Sequence, residues 1–86
     1  MSRLIIDVRN PEEYAQSHVE GAVNIPLTNL LGNPAELKEI PKDTELVLYC
    51  RSGNRSDTAI RILQTKGFTH LVNGINQELV QTKYTD

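Results

Sequence analysis

An apolar run stops at a cysteine, and a helical pattern takes over within a few residues. Leu46-Val47-Leu48-Tyr49 has the β-branched and aromatic content of a buried strand. From Ser56 the pattern is helical, with Ala59, Ile60 and Leu63 at helical spacing. Between them lies Cys50-Arg51-Ser52-Gly53-Asn54-Arg55, a loop with two arginines and a glycine. A strand-loop-helix unit of this kind aims successive backbone N–H groups inward and forms a concave site for anions. Cys50, Arg51, Ser52, Gly53, Asn54, Arg55 and Ser56 are therefore the candidate site. A sulfur at its centre meets those dipoles and both arginines, which favour thiolate, the nucleophilic form.

A lone cysteine that ends an apolar strand is ordinarily a small, inert, buried hydrophobe. Here the residues that follow are polar and cationic, which is not how a core continues. The chain of 86 residues holds this one cysteine, which excludes an intramolecular disulfide and a multi-cysteine metal site. An oxidised or sulfur-loaded Cys50 must then be resolved by an outside molecule. A net charge of −2 gives no reason to expect nucleic acid or an anionic membrane as partner. The positive charge is local to the cysteine, which suits a small anionic ligand. No apolar run approaches membrane-spanning length, and no signal peptide is visible. The chain as it stands is expected in the cytoplasm, or in the periplasm if a leader has been removed. Length, together with the lack of repeats and linkers, predicts one domain over residues 1–86, expected to be a monomer.

The rest of the chain alternates strand and helix patterns. Leu4-Ile5-Ile6 reads as a strand buried on both faces, ending in Asp7-Val8-Arg9. Asn10, Pro11 and Glu13 give a helix start with a capping box, and Tyr14 is placed inward. Gly21 ends that segment. Ala22–Ile25 reads as a second strand, closed by Pro26. Pro34 opens a helix through Glu39, with Leu37 and Ile40 as its apolar side, and Pro41-Lys42-Asp43 is a turn. The helix from Ser56 runs to about Lys66, where Gly67 suits a left-handed C-cap and Phe68 its hydrophobic contact. His70–Asn73 is a fourth strand, and a short helix is expected around Gln77 to Thr82. This alternation predicts an α/β fold with a parallel sheet. In such sheets ligands bind beyond the carboxyl ends of strands where the strand order reverses. If the first and third strands are neighbours, Asp7 and Arg9 stand at the rim of the cysteine loop, or they form a structural ion pair.

Four segments carry a family resemblance. Asp7-Val8-Arg9-Asn10-Pro11-Glu12-Glu13-Tyr14 is similar to the D-V-R-x-x-x-E-[FY] opening of rhodanese domains. His18 to Pro26 resembles their H-x-x-G-A-x-N-[IL]-P segment, Val47 to Ser56 their strand and active-site loop, and Gly67 to Val72 their entry to the last strand. The match is most like single-domain thiosulfate sulfurtransferases of the phage shock protein E kind. It implies a rhodanese-like doubly wound parallel sheet of about four strands in the order 4-3-1-2, with helices on both faces. It also implies the chemistry. Cys50 takes the outer sulfur of thiosulfate as a persulfide, and cyanide or a thiol accepts it, with no metal and no cofactor. Two departures stand out. Only three residues precede Leu4, which leaves no room for the extra strand many members have. The Gly-Gly and Trp common after the last strand are replaced by Asn73-Gly74-Ile75-Asn76, in a chain without tryptophan.

Arg51 and Arg55 are expected to steer and hold a dianionic donor. Ser52 and Ser56 can donate to a persulfide, and Ser56 is equally explained as a helix cap. Gly53 serves backbone geometry. His18 is expected to end a helix, with no general-base role, and His70 to start a strand. A cysteine-dependent phosphatase or arsenate reductase is the competing enzyme reading. Cys50 to Arg55 spans C-x4-R, whereas those phosphatases need C-x5-R. A sulfur carrier loading a protein acceptor and a non-catalytic binding module are the other readings.

Overall fold

The computed structural model describes residues 3–85; Met1, Ser2 and Asp86 of the expected domain lie outside the described residues. The elements run β1 (Arg3–Asp7), α1 (Pro11–Gln16), β2 (Val23–Asn24), 3-10 turns at Leu27–Leu31 and Ala35–Leu37, β3 (Glu45–Cys50), α2 (Asn54–Thr65), β4 (Leu71–Asn76) and α3 (Gln77–Lys83). All strand pairs are parallel and the order is β2-β1-β3-β4. This is the expected 4-3-1-2 order read from the other edge. The chain leaves β1 toward one edge and β3 toward the other. The order therefore reverses between β1 and β3, which pair over the full length of β1 with Asp7 opposite Tyr49.

Successive residues of a strand face opposite sides of the sheet, and both sides are covered. Ile6, Leu46, Leu48 and Cys50 pack with Ala59 and Leu63 of α2, Phe68, and Leu30 and Leu37 of the 3-10 turns. Val47 and Tyr49 pack with Val19, Ala22 and Val80 of α3, and Tyr14 of α1 joins them. Leu46 to Tyr49 are fully buried, as a continuous apolar run in a central parallel strand requires.

Helix ends follow their sequence signals where side chains or glycine supply them. The Glu13 carboxylate accepts the Asn10 backbone N–H at 3.1 Å at the start of α1. Asn76 caps α3 by accepting the Leu79 N–H at 2.8 Å. At the end of α2, Gly67 is left-handed at φ 96. The Phe68 and Gly67 N–H groups reach back to the Leu63 and Gln64 carbonyls, so Phe68 packs beside Leu63 as expected.

Several boundaries differ from the expectation. The segment after Pro34 forms only a 3-10 turn over Ala35–Leu37, although Leu37 is buried and Ile40 packs on the core as expected. β2 has two residues rather than four. Pro26 has no N–H for a ladder, and Asn24 spends its side-chain amide on the Asp7 and Arg9 carbonyls. β4 runs three residues beyond Asn73, because a register shift opposite Leu48 and Tyr49 leaves Gly74 as an extra residue in the ladder. A Cβ on Gly74 would lie 2.3 Å from a Val80 methyl, so only glycine lets α3 close on the sheet there. Helix α2 begins at Asn54, not Ser56. Gly53 is its N-cap residue at φ 94, and Ser56 falls inside the first turn.

Candidate active site

Cys50 ends β3, an interior strand, and its side chain faces α2. Gly53 turns the chain back over the sulfur in the left-handed conformation, and its N–H donates to Cys50 Sγ at 3.1 Å. Ser56 Oγ stands 3.6 Å from Sγ. Cys50 is 2% exposed, so the sulfur forms the floor of the loop. Burial alone would push its thiol up. The Ser56 N–H and hydroxyl, with the Ser52 and Gly53 N–H groups, outweigh burial and bring the thiol down to about 7. Of the two sources expected to favour thiolate, loop dipoles and arginines, the loop amides together with the Ser56 hydroxyl supply the larger part.

The arginines are held differently. Arg55 donates to both carboxylate oxygens of Glu13, at 2.9 and 3.2 Å. Arg51 is exposed and its guanidinium lies 3.7 Å from the same carboxylate. Ser52 and Asn54 are exposed on the outside of the loop, while Gly53 and Ser56 are buried. The structure thus brings the loop residues together around the sulfur, with the Gly53 N–H at 3.1 Å, Ser56 Oγ at 3.6 Å and the Ser52 and Ser56 amides also turned to it.

Asp7 ends β1 beside β3 and is fully buried. Its carboxylate takes Arg9 Nη2 at 2.7 Å, Arg9 Nε at 2.9 Å and the Tyr49 hydroxyl at 2.9 Å. Arg9 also donates to the Ser17 carbonyl at 2.7 Å. Tyr49 accepts the Val19 N–H at 3.0 Å, and burial pushes its phenol up to about 12. Asp7, Arg9 and Tyr49 thus form one buried network under the sheet end, facing away from the sulfur. His18 follows α1, stacked on Tyr14 and bonded to its carbonyl.

Two residues of this site escaped the sequence reading. Glu13 was read only as a helix cap, although it also stands in the D-V-R-x-x-x-E-[FY] segment. Asn73 counts in the sequence as a strand end and as the start of the segment that departs from the family's Gly-Gly, with no link to the loop. It accepts from Ser56 Oγ at 2.6 Å and donates to the Gly53 carbonyl at 3.2 Å, so it ties β4 to the loop. A recess of about 460 Å³ with three lysines at its rim lies beside the start of β3 and the end of α2, away from Cys50. Among the described residues no helix is long and apolar enough to cross a membrane.

Residues 1–77 match the family described as Rhodanese-like domain. The chain belongs to that family. Its rhodanese-like fold superposes on a rhodanese from Escherichia coli solved with anions, with a TM-score of 0.79 and 36% identity, covering 90% of this chain and 89% of that one. The thiosulfate sulfurtransferase PspE of Escherichia coli strain K12 is 46% identical over 68 residues, which are 79% of this chain and 64% of PspE. A sulfurtransferase of Allochromatium vinosum is 39% identical over 70 residues, 81% of this chain and 63% of that protein. The rhodanese-like chain therefore spans somewhat under two thirds of these curated relatives.

Proposed function

We propose that this domain moves sulfane sulfur from thiosulfate to a thiophilic acceptor through a persulfide on Cys50. The observation that carries the reading is the Gly53 N–H aimed at the sulfur of the only cysteine at 3.1 Å, inside a loop that brings its thiol to about 7. A substantial share of Cys50 is thiolate near neutral pH, and no neighbouring histidine is needed to make it so.

The thiolate attacks the outer sulfur of thiosulfate. A bond forms between Cys50 Sγ and that sulfur, the sulfur–sulfur bond of thiosulfate breaks, and its electron pair leaves on sulfite. The persulfide that remains is an anion. Loop amides and the Ser56 hydroxyl that stabilise the thiolate are placed to stabilise that anion too. Cyanide or a thiolate then attacks the outer sulfur and Cys50 leaves as thiolate, giving thiocyanate or the acceptor's persulfide. Arg51, the more exposed of the two loop arginines, attracts the dianionic donor. Arg55, held by Glu13, braces the loop against α1. A protein-borne thiol satisfies the same second step.

The test is sulfur transfer by Cys50→Ser. Serine keeps the size but is a poor nucleophile without a base and cannot hold a persulfide. The variant should fold and retain less than a few per cent of the parental rate, roughly the loss expected when a covalent nucleophile is removed. Turnover near the parental rate would refute the persulfide reading.

A further inference from the structure

Ser56 Oγ carries one proton and has three acceptors around it. Asn73 Oδ1 is 2.6 Å away, the Gly53 carbonyl 3.2 Å and Cys50 Sγ 3.6 Å. A hydroxyl donates only once, so the sulfur and the amide oxygen compete for it. Asn73 cannot relieve the competition by turning its amide over. The Ile75 N–H donates to Oδ1 at 3.0 Å, and Nδ2 donates to the Gly53 carbonyl at 3.2 Å. A flip would set donor against donor and acceptor against acceptor. Ile75 is left-handed at φ 77, rare for a β-branched residue, and its N–H closes the bond back to Asn73.

We propose that Asn73 is a positioning residue of the cysteine loop, holding the Ser56 hydroxyl proton while Cys50 is a thiol and yielding it to the sulfur when Cys50 becomes a thiolate. In the thiol state the Ser56 O–H points at Asn73 Oδ1, the shortest contact, and Sγ–H can donate to Ser56 Oγ. On ionisation the thiol proton passes to solvent and the O–H rotates onto the sulfur. Nothing is oxidised or reduced, and Asn73 Oδ1 keeps the Ile75 N–H. The bond given up between Ser56 and Asn73 weighs against the thiolate, so Asn73 restrains ionisation while bracing the loop.

The charged groups around the loop are Arg51 and Arg55, Glu13 of α1 between them, the Asp7–Arg9 pair at the end of β1, and Asp57 on the first turn of α2, which is exposed and paired with Arg61. β4 brings no charge, and Glu78 on the first turn of α3 is exposed. The bonds of Ser56 and Asn73 described above involve none of these groups, so the proton sharing is separable from them.

The inference rests on reading Cys50 as the nucleophile, and its test uses no sulfur donor, so it can fail independently of sulfur transfer. The ultraviolet absorbance of the thiolate is titrated in the parent, Asn73→Ala, Ser56→Ala and the double variant. Asn73→Ala should move the titration to lower pH, with about threefold more thiolate on the acid side, equivalent to roughly half a pKa unit. Ser56→Ala should move it to higher pH. In the Ser56→Ala background, Asn73→Ala should change nothing, because there is no proton left to share. Asn73→Leu, which fills the space without an acceptor, should repeat the alanine result if alanine loosens the fold. An unchanged or raised titration in Asn73→Ala, or a shift of equal size with and without Ser56, would overturn the proposal and leave Asn73 as a brace only.

Discussion

Glu13, on the first turn of α1, grips Arg55, on the first turn of α2, through hydrogen bonds of 2.9 and 3.2 Å. The same carboxylate accepts the Asn10 N–H at 3.1 Å and stands 3.7 Å from Arg51. One side chain therefore caps a helix, joins two helices across the sheet end and offsets the positive charge beside the cysteine. Arg55 holds the Glu13 carboxyl down to about 2.

Glu13→Gln should expose that offset. With Arg55 unpaired, the loop becomes more positive, and KM for an anionic donor should fall about threefold at low salt. Stability should move the other way. A depressed carboxyl stabilises the fold above the ordinary carboxylate range, and the contribution is lost as pH falls toward about 2. The variant should therefore be less stable near neutral pH and lose less on acidification than the parent. Denaturant midpoints at neutral and acid pH, with KM at two salt levels, check both halves.

Arg9→Met tests whether the Asp7–Arg9 pair is a brace or part of the anion rim. Asp7 is fully buried and Arg9 is 8% exposed. Removing the guanidinium leaves a buried carboxylate without its partner, which costs about 3–5 kcal/mol. The expected result of urea denaturation is a loss of that size, with the salt dependence of KM unchanged in the folded protein. A loss below about 1 kcal/mol with a large rise in KM would make Arg9 a donor ligand instead.

Arg51→Ala removes the most exposed charge of the loop. Its attraction acts on bound donor and transition state alike, so KM should rise more than kcat falls. The rise should shrink as salt is added, because exposed charges are screened. Steady-state kinetics across ionic strength measure it; a rise that ignores salt would assign Arg51 a direct structural role.

The sequence exposed the sheet and the cysteine loop because both are written in local signals. A fully apolar run from Leu46 to Tyr49 demands burial on two faces, and the polar residues after Cys50 cannot continue a core. Gly67 with Phe68 announced the end of α2 for the same reason. What stayed hidden depends on contacts between distant segments. Gly53 starts α2 by adopting a left-handed backbone, so no side-chain cap marks the helix start, and Ser56 was mistaken for it. The extension of β4 through Gly74 is set by how closely Val80 of α3 approaches. Glu13 and Arg55 lie 42 positions apart and Ser56 and Asn73 lie 17 apart, with no local pattern linking either pair.

The thiol of Cys50 sets a pH dependence of its own. With the thiol at about 7, the donor half-reaction should slow about tenfold per unit on the acid side and level off above it. The sign for stability follows from a folded value below the ordinary thiol range. Thiolate stabilisation is full above the unfolded thiol value and is lost as pH falls through about 7. Unfolding free energy should therefore rise across that window in the parent and stay flatter in Cys50→Ser. Stopped-flow rates and denaturation at matched pH values supply the comparison; a rate profile that is level through neutral pH would contradict the assignment.

The central claim is that Cys50 carries the sulfur, and intact mass reports it without an acceptor or a coupled assay. Protein treated with thiosulfate and desalted should gain the mass of one sulfur atom, located on Cys50. That gain should disappear on adding cyanide and be absent from Cys50→Ser. A parent protein whose mass is unchanged by thiosulfate, or a gain that persists in Cys50→Ser, would contradict the account.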